Sequence, residues 1–294
     1  MNKLLSMELK RTMKSPILWI GLIIVIALNV YGIVLNMYGF DIYTTTFLFM
    51  NSARICIILA ILIPLHIGHD FEVRTINNKI SAGYSRKQIY LTEVIVSAAC
   101  GMILFIMDIV SIIVCSAIMH LEFSDGITYA AFIINAVISL ICIVTISALF
   151  TMVAIITRKQ LISLGIAVLL TISMLTLGGN TVSKLRQSEY NIDTQSSEMV
   201  ENTLYISGFE RTVANAHLLI SPFAQVEYES PMLLEPEFKE TNSLILKSFP
   251  YHIEFCIFNL LELILFCKVG IHIFRKQDPV SYTHLRAHET GAYL

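Results

Sequence analysis

The feature that most constrains this chain is a series of apolar blocks, each about as long as a membrane is thick. A helix needs about 20 residues to cross a hydrocarbon layer of roughly 30 Å. Every backbone N–H and C=O inside that layer must be bonded within its own segment, so blocks of this length form helices. Six such blocks occur, at 17–38, 47–68, 94–119, 128–156, 161–177 and 251–274. The sequence therefore predicts an all-α membrane protein with six transmembrane helices.

The composition agrees with that fold class. Hydrophobic residues make up 55% of the chain and charged residues 14%, and the mean hydropathy is +0.71. All six cysteines fall inside the apolar blocks, where a thiol packs as a small hydrophobic group, so neither a disulfide framework nor a zinc site is indicated. We expect the lipid bilayer to be a partner of the chain and nucleic acid not to be one.

The distribution of Lys and Arg predicts the orientation of the helices. The N-terminal segment and the connection at 69–93 contain four each, whereas the connections after the first and third blocks contain none. Arg158 and Lys159 follow the fourth block, and Arg275 and Lys276 follow the last. Because basic residues concentrate in cytoplasmic loops, both termini are predicted to be cytoplasmic.

Two segments outside the blocks have patterns of their own. Residues 1–14 place apolar and basic side chains on different faces of a helical wheel, which predicts an amphipathic helix on the cytoplasmic leaflet; the alternative is a merely basic flank to the first helix. Residues 178–250 form a large extracellular loop before the last helix. Within it, the apolar patch at 216–225 is interrupted by Pro222 and is too short to span, so it predicts a re-entrant or interfacial helix.

The last residues do not fit this organisation. The run from Val280 to Thr290 resembles a translated sequencing adapter. We therefore assign 1–278 to the membrane domain and interpret 279–294 as an artefactual tail, which excludes His284 and His288 as candidate ligands.

The sequence offers no catalytic site. It contains no phosphate-binding loop and no glycine-rich nucleotide motif, and its Ser and Cys residues have no nearby base, so we expect no enzyme activity and no cofactor in this chain. His66, His69, Asp70 and Glu72 form a polar group at the inner end of the second block. A metal site is geometrically possible there, but we favour interfacial histidines followed by capping acids and predict no metal.

Three ionisable residues lie within the apolar blocks, namely Arg54, Asp108 and Glu262. A charge at mid-bilayer costs roughly 3 kcal/mol on insertion scales, so such groups face a bundle interior and find a partner. They are interpreted either as a polar lining of a substrate path or as a structural Arg54–acid pair or protonated acids. The sequence does not separate these alternatives.

The connection at 70–90 carries the clearest motif, and it is called the hinge below. It contains F-E-V-R-T-I-N-N-K-I-S-A-G-Y-S-R-K-Q-I-Y. This run, with the basic N-terminal helix, six spans and a long loop before the last, resembles the ABC-2 type permeases, the membrane subunits of bacterial ABC exporters. Those proteins often have Glu, then Gly-Thr-Ile-Arg-Asn-Lys, then Gly-x-Ser-Arg. Here Arg74 replaces the usual Gly and Asn77 the usual Arg.

The resemblance implies a bacterial plasma-membrane protein whose hinge includes a cytoplasmic coupling helix that docks on a separate ATP-binding subunit. ATP and Mg would bind that partner, and a second permease chain, identical or different, would complete the transporter. Arg74, Lys79, Arg86 and Lys87 are expected to face an acidic partner surface. The residues implied in coupling are Glu72, Thr75, Ile76, Lys79, Gly83, Tyr84, Ser85 and Arg86.

Two other function classes remain open. A secondary, ion-coupled transporter would use Asp108 and Glu262 as titrating groups, although no inverted repeat is visible. A non-transporting membrane sensor or anchor would use the large loop to bind a ligand. If the chain is an exporter, antimicrobial peptides, antibiotics and lipids are the expected cargo classes, among which the sequence does not choose.

Overall fold

The computed structural model describes residues 2–36, 44–48, 52–122, 129–192, 199–234 and 251–277. The proposed tail at 279–294 lies outside these residues. The described part is almost wholly helical. Its helices are α1 (Asn2–Met13), α2 (Pro16–Asn36), α3 (Thr44–Phe47), α4 (Ser52–Glu72), α5 (Thr75–Ser81), α6 (Arg86–Ile118), α7 (Tyr129–Thr157), α8 (Gln160–Leu185), α9 (Gly208–Ile220), α10 (Pro222–Leu234) and α11 (Tyr251–Lys276).

Six of these helices are long and apolar enough to cross a membrane: α2, α4, α6, α7, α8 and α11. They coincide with the six apolar blocks, so the prediction of six apolar helices is confirmed. The boundaries differ most for α6, which begins at Arg86 rather than at residue 94, and for α8, which continues to Leu185 rather than ending at 177. Both extensions are polar turns that a hydropathy criterion leaves out.

Helix α7 lies at the centre of the bundle and packs against α4, α6, α10 and α11. Its close approach to α6 depends on Gly101, because a Cβ there would lie 2.6 Å from the side chain of Ile143. Gly178 on α8 plays the same part against α10, since a Cβ there would lie 2.8 Å from the Cα atom of Ala224. Small residues allow helix backbones to approach closely where no hydrophobic force drives them together.

The segment between α8 and α11 is not simply a loop. A short hairpin pairs β1 (Tyr190–Ile192) with β2 (Met199–Glu201) in antiparallel register, with Tyr190 opposite Glu201. This hairpin was missed by the sequence analysis, which gave only a large loop at 178–250. Helices α9 and α10 meet at Ser221, directly before Pro222, and α10 packs against α7 and α8. The re-entrant or interfacial helix predicted at 216–225 is thus divided between the end of α9 and the start of α10.

The basic segments of the chain meet at one end of the bundle, which we call the hinge end. Helix α1 packs against α6 there. Arg158, between α7 and α8, donates from Nε to the side-chain oxygen of Gln277 at 2.7 Å, directly after α11. The hinge itself joins α4 to α6 at the same end. This arrangement agrees with the alternation of basic connections along the sequence.

Candidate functional site at the hinge end

The hinge forms a short helix, α5, between two backbone positions that have positive φ. Arg74 precedes it at φ 62° and Gly83 follows it at φ 90°, a region that glycine enters without strain. Ser85 then begins α6 with a capping box: its Oγ accepts from the N–H of Gln88 at 3.3 Å, and the Gln88 side chain accepts from the Ser85 N–H at 2.9 Å. The S-x-x-Q sequence gives this start of α6 a clear local cause.

Beneath α5 lies a buried group of charged side chains, which we call the ionic cluster. Four helices contribute to it. Its members are Glu8 and Arg11 of α1, Asp70 of α4, Lys79 of α5 and Glu93 of α6.

Lys79 is the centre of the ionic cluster. Its side chain is 3% exposed, and Nζ lies 2.8 Å from Asp70 Oδ2 and 2.8 Å from Glu93 Oε1. Both contacts are hydrogen bonds. Nζ also lies 2.9 Å from Glu8 Oε1, without hydrogen-bond geometry. One ammonium group therefore joins α5 to α1, α4 and α6.

Arg11 forms the second centre of the ionic cluster. Its guanidinium donates to both oxygens of Asp70, at 2.5 and 2.8 Å, the two-pronged geometry that makes Arg–carboxylate pairs strong. Nη2 also lies 2.6 Å from Glu8 Oε2. Because Asp70 contacts both cations, α1 and α5 are held to the end of α4 through the same carboxylate.

Three carboxylates face two cations in the ionic cluster, so the charges do not balance when all groups are ionised. Burial raises the pKa of the Glu8 carboxyl, and the charge of Glu93 raises it further, against the opposing effects of Lys79 and Arg11. Burial alone would lower the pKa of Lys79, but Glu93, Asp70 and Glu8 together raise it above its ordinary value. We conclude that Lys79 stays charged and that Glu8 is the carboxyl most ready to take up a proton.

The same place contains the ligand types of a metal site. One ligand atom each from Glu8, His66 and Glu93 lies within 4.8 Å of the others. However, Arg11 Nη2 lies 2.8 Å from His66 Nε2, and Lys79 Nζ contacts both carboxylates. Two cations therefore occupy the positions from which a metal ion would be coordinated, and the geometry favours an ion-pair network. The sequence analysis had grouped His66 with His69, Asp70 and Glu72 instead.

Arg86 also makes internal contacts. Its Nη1 donates to the backbone carbonyls of Phe274, Arg275 and Gln277 at the end of α11, and its guanidinium lies 5.8 Å from the ring centre of Phe274. Helix ends leave carbonyls without partners, and a cation there also interacts favourably with the helix dipole. Arg86 therefore links the start of α6 to the end of α11.

These contacts correct part of the expectation for the hinge. Lys79 was expected to face an acidic partner, but its buried ammonium is bonded within the chain, so that expectation is wrong. Ile76 is 2% exposed, and Ile80 and Tyr84 pack against the core, so these three apolar side chains of the hinge lie against the bundle. The remaining coupling residues lie nearer the surface: Glu72, Gly83 and Ser85 are exposed and Thr75 and Arg86 are half-buried.

The three intramembrane charged residues do not join one site. Asp108 is buried, and its Oδ1 accepts from the side-chain amide of Asn29 at 2.9 Å, which ties α6 to α2. Arg54 acts on Asp108 electrostatically, but its Nη1 has no hydrogen-bond partner within the described ranges. The same holds for Oε2 of Glu262 on α11. The Asp108–Asn29 bond supports a structural contribution of Asp108.

No protein-family model and no curated protein matches this chain.

Proposed function

We propose that this chain is the membrane subunit of an ATP-driven exporter and that α5 receives the motion of a separate ATP-binding subunit. In this proposal the hinge end faces the cytoplasm of a bacterium, and ATP and Mg²⁺ bind the partner. A second permease chain completes the substrate path. The resemblance of the hinge motif suggested this function, and the arrangement of α5 is the observation that carries it here.

Helix α5 has two faces of opposite kind. One face is fixed to the bundle through Ile76 and through the three carboxylate contacts of Lys79. The other face exposes Arg74, Asn78 and Ser81, and Lys87 is exposed at the start of α6. A partner bound to the exposed face would therefore be linked rigidly to several long helices.

The ionic cluster defines where a displacement of α5 would go. Through Asp70 it reaches α4, through Glu93 it reaches α6, and through Glu8 it reaches α1. Arg86 extends the connection to α11. Rigid-body movement of packed helices between two arrangements is an established way for a membrane protein to switch its accessible side. In the proposed cycle, closure of the ATP-binding subunits moves α5, and these helices tilt together.

The experiment is co-purification with the product of an ATP-binding-subunit gene that adjoins the gene for this chain; lack of such a gene counts against the proposal. Arg74→Glu combined with Lys87→Glu reverses two exposed charges on the partner-facing surface and is expected to abolish association. Lys3→Glu reverses a charge on the exposed face of α1 and is the matched control. Association that survives the double reversal contradicts the proposed docking face. Absence of any association with wild-type protein contradicts the function.

Substitutions elsewhere in the hinge test folding instead. Gly83→Pro would remove the N–H that bonds Ile80 O at 2.9 Å and would require a φ that proline cannot adopt. Arg86→Glu would set a carboxylate against three carbonyl oxygens. Loss of transport in either variant therefore would not isolate coupling.

Ion-coupled transport is the second candidate, and the unpartnered oxygen of Asp108 favours it. That atom, Oδ2, is buried and has no hydrogen-bond partner among the described residues. A carboxyl in such a place can exchange a proton during transport. Asp108→Asn keeps the shape and the Asn29 contact site while removing the titration. Under the exporter proposal, ATP-dependent transport survives this substitution, whereas ion-coupled transport requires the acid.

A further inference from the structure

A groove lies at the end of the bundle opposite the hinge, between the last turns of α8 and helix α9. Its volume is about 300 Å³, at the lower limit of the range in which small ligands are bound. The two helices run antiparallel along it, because Thr181 of α8 contacts His217 of α9 at 2.8 Å while Lys184 contacts Glu210 at 3.5 Å. The groove therefore has two distinct ends.

The side chains that line the groove differ in polarity between its two ends. Lys184 and Glu210 stand at the end nearest the C-terminus of α8, and Leu177 lies seven residues earlier, about 10 Å deeper along the helix axis. Ile206 lies just before α9 at this charged end, and Val213 and Ala214 follow along α9. The Thr181–His217 hydrogen bond lies between these side chains and Leu177. Because α8 is one of the six apolar helices, the deeper end points toward the membrane interior. Charged groups at the mouth and a mainly apolar wall below them match the order of a lipid headgroup and its chain.

The outer surface of α9 indicates that lipid reaches the groove. Phe209, Val213 and Ile220 share one face of the helix by their spacing of four and seven residues, and they are 84%, 50% and 54% exposed. Leu177 beside them is 52% exposed. An exposed apolar stripe on a helix that packs beside a membrane span is typical of a helix lying in the membrane interface.

The charged end carries one group of each sign. The Lys184–Glu210 distance of 3.5 Å is long, and the two side chains are 56% and 67% exposed, so the pair itself contributes little stability. Burial lowers the pKa of His217, which favours the neutral form of that imidazole. The groove therefore presents one cation and one anion to a ligand headgroup.

We propose that this groove binds a phospholipid with a phosphoethanolamine headgroup, its phosphate beside Lys184, its ammonium beside Glu210 and its acyl chain along Leu177 and Val213. A primary ammonium can donate hydrogen bonds to the Glu210 carboxylate, whereas the quaternary ammonium of choline cannot. An anionic glycerol headgroup offers no cation to Glu210. The preference for phosphoethanolamine is thus the specific consequence of having both charges at the mouth. The proposal rests on the membrane placement of α8 and is independent of coupling to an ATP-binding subunit.

The test is native mass spectrometry of the full chain in detergent, titrated with phosphatidylethanolamine, phosphatidylcholine or phosphatidylglycerol. Wild-type protein is expected to bind phosphatidylethanolamine about tenfold more tightly than the other two, as one charge-assisted hydrogen bond provides. Glu210→Gln is expected to remove that preference. Glu189→Gln, an exposed acid before the hairpin, is the control and should preserve it.

A second variant tests the groove itself. Val213→Trp fills the groove from a half-exposed position, where the larger ring can be accommodated without disturbing the core, and it should weaken all three lipids. Equal binding of the three lipids to wild-type protein, or a preference unchanged by Glu210→Gln, overturns the headgroup assignment. Binding unchanged by Val213→Trp overturns the site. Since the groove and α5 lie at opposite ends of the molecule, association with the ATP-binding subunit should be the same in every variant.

Discussion

Removing the Lys79 ammonium is the most informative perturbation of the hinge end. Lys79→Met keeps the length and apolar stem of the side chain and deletes only the charge. Three carboxylates then surround a position that held a cation within 2.9 Å of each. Arg11 is the one cation of the ionic cluster that remains, and it cannot compensate all three acids.

The expected loss is about 3–5 kcal/mol of the free energy of unfolding, the cost of removing one partner from a buried ion pair. Glu8→Gln is the matched control, because it removes a carboxylate from the same cluster and leaves two acids facing two cations. Its expected effect is about 1 kcal/mol or less, because two carboxylates still face two cations and no buried charge is left without a counter-charge. The two variants therefore remove charges of opposite sign from the same cluster.

The assay is reversible unfolding by sodium dodecyl sulfate in mixed micelles, followed by circular dichroism. The deficit of Lys79→Met should shrink as the pH is lowered from about 8 to about 5, because protonation of a carboxyl then relieves the excess negative charge. Equal destabilisation by Lys79→Met and Glu8→Gln would refute the charge-balance reasoning. A loss from Lys79→Met that does not depend on pH would refute it as well.

Four further predictions concern Glu8, Tyr90, Gly270 and Gly83. The pKa of Glu8 is raised in the folded state. The contribution of Glu8 to the free energy of unfolding is therefore fully present below its ordinary pKa of about 4.5 and is lost as the pH rises through the pKa of the folded state. The difference in the free energy of unfolding between wild type and Glu8→Gln, followed against pH, measures this contribution. Tyr90→Phe should cost about 1 kcal/mol, since the buried hydroxyl donates to Phe266 O at 2.9 Å. Gly270→Ala should cost about 1–3 kcal/mol, because a Cβ there would overlap the Tyr90 ring. Gly83→Ala, where no atom lies within 4 Å of a new Cβ, should cost only about 1 kcal/mol of backbone strain and preserve co-purification.

The six long helices could be predicted because hydropathy acts locally. Each block satisfies the length and hydrogen-bonding conditions of the membrane by itself, with no information about its neighbours. The helical turn before Gly83 is also local, as is the capping box that begins α6 at Ser85. The β hairpin was missed, since its strands have three residues each and carry no alternating pattern long enough to recognise.

The ionic cluster could not be predicted as a whole, because its pairs are distant in sequence. Lys79 meets Glu8 and Glu93 only after four helices have packed. The distribution of basic residues indicates which side of the membrane a loop occupies, but it does not indicate which cation turns inward. One local signal was available: Lys79 follows Ile76 by three residues and precedes Ile80 by one, so it shares the apolar face of α5.

The N-terminal helix illustrates the same limit. Its pattern of apolar and basic residues predicts a surface on lipid, yet Glu8 is fully buried and Arg11 is bonded to Asp70. Glu8 is the single acid in that basic segment, and its negative charge was the available clue. An acid on a basic interfacial helix suggests a partner cation elsewhere in the chain, although sequence alone does not identify Lys79.

In the proposed function, the chain moves solute with energy supplied through α5 by an ATP-binding subunit. The most direct measurement reconstitutes the chain in vesicles with and without that subunit and follows transport of candidate peptides and lipids. We expect transport only when both proteins and ATP are present, and we expect its loss when Arg74→Glu and Lys87→Glu are combined. Transport by the chain alone, driven by an ion gradient, would contradict it.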